Sequence, residues 1–154
     1  MDRSLRDELI RQYRAGHSEV LDALGGLTDD RLDHRSGPDE WTPREVVHHL
    51  ADAEMIAAVR LRRLLAEDEP EILGYDEQEY TQRLHYDRPI ESSLAAFKAA
   101  RDTSAEILER LTEEDWERAG VHSERGRYSV DTWLEIVSAH GHDHAEQIRR
   151  SDKG

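Results

Sequence analysis

Apolar residues recur at intervals of three and four in four separate stretches of this chain, and nowhere does apolar–polar alternation run beyond a few residues. The first stretch carries Leu5, Leu9, Tyr13, Val20 and Leu24 and stops at Gly25-Gly26, where the backbone is free to take a left-handed cap. The second, residues 43–64, buries Val46, Leu50, Ala53, Ala57, Leu61 and Leu64. It opens with Thr42 as N-cap, Pro43 at the first helical position and Glu45 as the capping-box carboxylate. The third repeats Ile90, Leu94, Phe97, Arg101, Ser104, Leu108 and Leu111, with Arg101 and Ser104 interrupting an otherwise apolar stripe. The fourth begins near Ser129 and continues through Ile148. Residues 75–84 read as a short connecting helix and residues 112–127 as a polar connection. Long helices with one apolar face each bury those faces only against one another, so the expected fold is an all-α four-helix bundle. At 154 residues it forms one domain, 1–154.

Composition narrows the function. The chain has no cysteine, so any metal must be held by histidine and carboxylate. A net charge of −14 disfavours nucleic acid, whose phosphates need a basic face. The N-terminus lacks an apolar signal region, and the longest apolar run, Met55 to Val59, falls far short of the ~18 residues of a membrane span. The expectation is therefore a cytoplasmic protein with a small-molecule substrate and no nucleic-acid or membrane partner.

Three of the nine histidines lie within five residues, His140-Gly-His142-Asp-His144, inside the fourth apolar pattern. Helical phase sets His140 and His144 beside Trp133 and Val137 on the inward stripe and turns His142 the other way. Imidazoles at i and i+4 are about 5–6 Å apart at Cβ and can reach one ion. The second helix offers His48-His49; His49 lies on the shoulder of its stripe, while His48 points to solvent. Phase thus selects His49, His140 and His144 as metal ligands, with open positions left on the ion. His17, His34, His85 and His122 read as surface residues. Glu45 and Asp52 share His49's side of the helix, as partners for its far imidazole nitrogen or as solvated carboxylates.

With these residues placed, the chain resembles the DinB/YfiT-like superfamily. Trp41-Thr-Pro-Arg-Glu-Val-Val-His-His49-Leu-Ala-Asp-Ala-Glu54 is similar to that family's second-helix signature, and His140…His144-Ala-Glu-Gln-Ile148 to its closing motif. The middle of the chain is similar too, from Pro89-Ile90 and Phe97…Arg101 to the Gly126-Arg-Tyr-Ser129 lead-in. Carried over residue by residue, the family's metal-binding histidines fall on His49, His140 and His144. The resemblance implies a bundle that departs from simple up-and-down order, a homodimer, and a divalent ion, zinc or nickel. It also implies a transferase using a low-molecular-weight thiol of bacillithiol or mycothiol type; the alternatives are a metal-dependent hydrolase and a non-catalytic metal-binding module.

Outside the trio, Arg101 stands out because an arginine in a core heptad requires a partner. It is either ion-paired to a carboxylate of a neighbouring helix or a catalytic-site residue that anchors a substrate carboxylate. Tyr75, Tyr80 and Tyr86 are placed to line a mouth over the site or to cover core.

Overall fold

The structure is a computed structural model that describes residues 1–153. Its four long helices are α1 (Arg3–Leu24), α3 (Pro43–Ala66), α5 (Glu91–Leu108) and α7 (Val130–Lys153). Between them lie α2 (Asp29–Leu32), β1 (Glu71–Ile72), α4 (Glu77–Arg83), α6 (Glu113–Glu117), β2 (Ala119–His122) and β3 (Gly126–Ser129). The local signals act as expected. Gly25 takes the left-handed C-cap of α1 at φ 31°, and Thr42 and Glu45 form a reciprocal capping box at the start of α3.

The polar connection is more ordered than its composition suggests. Residues 112–129 form a helical turn and a β2–β3 hairpin, and β1 joins β2 in parallel through Glu71↔Val121 and Ile72↔His122. Strands of two and four residues are too short to leave an alternating pattern.

α1 packs on α7 and α5, and α3 packs on α5 and α7, so the chain neighbours α1 and α3 sit on a diagonal, as do α5 and α7. The core falls into two apolar blocks. One contains Tyr13, Leu61, Leu64, Ala105, Trp133 and Leu134; the other contains Val20, Val46, Leu50, Phe97, Ala145 and Ile148. α1 and α7 pass from the first block to the second, while α3 and α5 run the reverse way. The order is thus up-down-down-up, and the parallel pair α3 and α5 needs a returning crossover. Residues 67–90 supply it, carrying β1 and α4 back along α3.

A polar layer separates the two blocks. Arg101, 2 % exposed, pairs through Nε with Glu54 Oε2 at 2.9 Å. It also donates to the carbonyls of Tyr13 and Val137, and Tyr13 donates its hydroxyl to Glu54. The guanidinium carbon lies 4.4 Å from the Tyr13 ring centre and 4.7 Å from that of Phe97. Gly16 and Gly141 make room: a Cβ on Gly16 would meet Arg101 Nη1 at 2.4 Å, and one on Gly141 would meet the Gly16 backbone at 3.2 Å. The glycine inside the histidine motif therefore exists for the α1–α7 crossing.

Candidate metal centre

His49 sits two turns into α3, and His140 and His144 sit one turn apart in the middle of α7, against which α3 packs. Their ring nitrogens converge. His140 Nε2 lies 3.2 Å from His49 Nε2 and 3.0 Å from His144 Nε2, and the three donor atoms fall within 4.8 Å of one another.

The protonation pattern says what such a cluster wants. His144 Nδ1–H donates to Gln147 Oε1 at 2.7 Å, which leaves Nε2 bare and fixes the tautomer. A single proton on His140 Nε2 can satisfy only one of its two neighbours, so lone pairs are left facing one another. Adding protons is unfavourable as well. Burial, then the nearby His144, hold His49 down to about 3; burial, with His144, His49 and Arg101, holds His140 down to about 2. Burial also lowers His144, against the opposing pull of Gln147. Neutral imidazoles are the form that ligates. Metal–nitrogen bonds of about 2.0–2.1 Å imply ligand separations of roughly 3.0–3.4 Å, which the two short contacts meet. The donor set fits one divalent cation.

Trp41, just before the N-cap of α3, covers this cluster. Its ring centre is 4.6 Å from that of His49, and it stacks at 16° and 6.4 Å over His144. Its Nε1–H donates to Gln78 Oε1 of α4 at 3.3 Å, tying the crossover to the site. His140 also forms part of the wall of a 250 Å³ cleft shared with Arg60, Tyr75, Glu77, His122 and Tyr128. Burial, then the adjacent Asp76, push the carboxyl of Glu77 above its ordinary value.

Several expectations need correction. His48 is fully buried rather than solvent-facing: Nδ1 meets Ser93 Oγ at 2.7 Å and Nε2 donates to the Arg88 carbonyl at 2.8 Å. Helical phase placed it opposite the stripe, but α5 and the segment before it cover that side. His142 is half-buried, donating to the Gln12 carbonyl of α1 at 2.8 Å. His122, read as a surface residue, is 5 % exposed and lines the cleft, a role set by strand pairing that leaves no local signal. Glu45 is occupied by Thr42 and Arg35, and Asp52 accepts from the Tyr86 hydroxyl, so neither bonds His49. Of the three tyrosines, Tyr75 lines the cleft, Tyr80 packs on Tyr75 and Tyr86 is buried. Arg101 takes the ion-pair alternative, lying beneath the cleft with its guanidinium engaged by Glu54 and two carbonyls.

Known proteins share this fold. The solved structure of YfiT from Bacillus subtilis, described as "a probable metal-dependent hydrolase with an unusual four-helix bundle topology", superposes with a TM-score of 0.93 at 25% identity. The match covers 99% of this chain and 89% of that one. A protein of Oceanobacillus iheyensis named "Putative metal-dependent hydrolase" is 38% identical over 124 residues, 79% of this chain and 71% of its own length. One of the same name from Geobacillus thermodenitrificans is 33% identical over 150 residues, 93% of this chain and 84% of its own length. The sequence model of the DinB superfamily matches residues 12–148, which takes in all three converging histidines. The chain belongs to the DinB superfamily.

Proposed function

We propose that the protein is a metal-dependent hydrolase of a small molecule, in which His49, His140 and His144 hold one zinc or nickel ion and Glu77 moves the proton. The observation that carries this reading is the convergence of three imidazole Nε2 atoms, one of them on His140 at the wall of a cleft that the Glu77 carboxylate also lines. Three imidazoles suit a borderline ion such as zinc or nickel better than magnesium or calcium, which prefer oxygen. Bound there, the ion supplies Lewis acidity for the substrate carbonyl and for water.

The chain's own residues do the rest. Water adds its oxygen to the acyl carbon while its proton passes to Glu77, which then gives it to the departing group as the acyl bond breaks. A carboxyl with a raised pKa both accepts and returns a proton near neutrality more readily than an ordinary glutamate. Trp41 and Tyr75 restrict water around the reacting atoms. Transfer to a low-molecular-weight thiol would use the same open side of the ion, but the similar proteins are described as hydrolases and no cleft residue singles out a thiol.

The test is an assay of zinc- or nickel-loaded protein against small esters, amides and lactones. Hydrolysis of at least one, lost in His144→Ala, is expected. Turnover that occurs only with an added thiol, and yields a thioether, contradicts it.

A further inference from the structure

The far end of the cleft from His140 is built from cation and N–H donors that form no ion pair among the described residues. Arg60, on the exposed shoulder of α3, is half-buried and held by one Nη2 bond to the Leu73 carbonyl at 2.6 Å. Its guanidinium carbon lies 5.8 Å from the ring centre of Tyr75. Among the described residues it makes no ion pair, although the chain has 35 acidic groups and Arg63, one turn on, pairs with Glu67. Arg125, exposed on the β2–β3 turn, lines the same cleft and is likewise without a carboxylate partner among the described residues. Glu77 and Glu124 share the cleft, yet neither comes within ion-pair distance of either arginine.

His122 adds a donor. Its Nδ1 accepts the Glu124 N–H at 3.1 Å, so the ring's proton sits on Nε2, which has no partner among the described residues. Burial, then Arg60 and Arg125 against the opposing pull of Glu124, push the pKa of this ring down, and the same arginines oppose the upward push of burial on Tyr128. Four side chains of the cleft therefore feel, or are, the same positive centre.

We propose that Arg60, assisted by Arg125 and His122, binds the carboxylate of a small acidic substrate whose reacting bond lies beside His140. The placing of that bond rests on the hydrolase reading; the anion site does not. A free side of a planar guanidinium matches a carboxylate through two parallel hydrogen bonds. At 250 Å³ the cleft has room for about eight waters' worth of ligand, which confines the substrate to a small molecule. The overall charge of −14 gives the arginines a second role, since without them an acidic substrate would be repelled from this surface.

Calorimetric titration of the chelated, metal-free protein with succinate, succinamide and inorganic phosphate tests this. Succinate should saturate one site on the wild type and on His144→Ala alike, and succinamide should not bind. Arg60→Gln should weaken succinate roughly tenfold to a hundredfold, and Arg60→Lys should recover part of the loss. Circular dichroism checks that each variant stays helical, and Arg125→Gln gives an independent weakening if Arg60 variants fail to fold. Succinate affinity unchanged from the wild type in Arg60→Gln and Arg125→Gln, binding of succinamide as tight as succinate, or no saturable succinate site overturns the proposal. Phosphate binding more tightly than succinate overturns the carboxylate assignment. Succinate binding in a protein that hydrolyses nothing would sink the hydrolase reading and leave the anion site standing.

Discussion

His144 Nδ1 donates to Gln147 Oε1 one turn along α7, and this single hydrogen bond leaves its Nε2 bare at 3.0 Å from His140 Nε2. Replacing Gln147 with leucine should keep the fold and release the tautomer. Metal affinity, measured by competition with a chromophoric chelator, is expected to fall about 10–100-fold. An unchanged affinity would mean that the ring needs no such orientation.

The metal-free protein should lose stability in acid for a definite reason. In the unfolded chain the imidazoles titrate near 6.5, whereas burial holds His49 to about 3 and His140 to about 2 in the fold. Between those values the unfolded chain binds more protons, so this stability is fully present above about pH 6.5 and drains away as pH falls. Thermal melts of chelated protein should show a declining Tm from about pH 7 to about pH 5, with a shallower decline in His140→Ala. Parallel profiles for the two proteins would contradict this.

Arg101→Ala should destabilise the bundle by about 3–5 kcal/mol in urea denaturation, because it strands the buried Glu54 carboxylate. Arg101→Met combined with Glu54→Gln should cost less than Arg101→Ala alone. A loss under about 1 kcal/mol for Arg101→Ala would place the ion pair among surface pairs in strength.

If Glu77 carries the proton, its deprotonated form is the active one. The acid limb of kcat/KM should then lie above the ordinary glutamate value, in keeping with the upward push of burial and Asp76. Glu77→Gln should lower kcat by about 10²–10⁴ and remove that limb. A limb that survives in Glu77→Gln assigns the proton to another group.

Much of this was readable from residue order because its causes are local. The caps at Thr42 and Gly25, the four apolar stripes, and the phase that turns His49, His140 and His144 inward all depend on neighbours within a turn or two. Arg101 announces the polar layer by interrupting a stripe, although its partner, Glu54, is 47 residues away and no local pattern pairs the two. His48 and His122 depart from the sequence expectation for the same physical reason. The first is covered by Ser93 and the Arg88 carbonyl, the second is brought to the cleft by pairing of β2 with β1 and β3, and both depend on contacts distant in sequence.

The central claim is that His49, His140 and His144 together hold one divalent ion, and elemental analysis of purified protein after zinc or nickel loading tests it most directly. The wild type should carry about one ion per chain, His49→Ala, His140→Ala and His144→Ala should each carry little, and His142→Ala should remain near the wild-type content. His48→Ala, which loses bonds to Ser93 and Arg88, should melt earlier yet still load. Full loading of His49→Ala, or loss of metal in His142→Ala with the helices intact, would contradict the account.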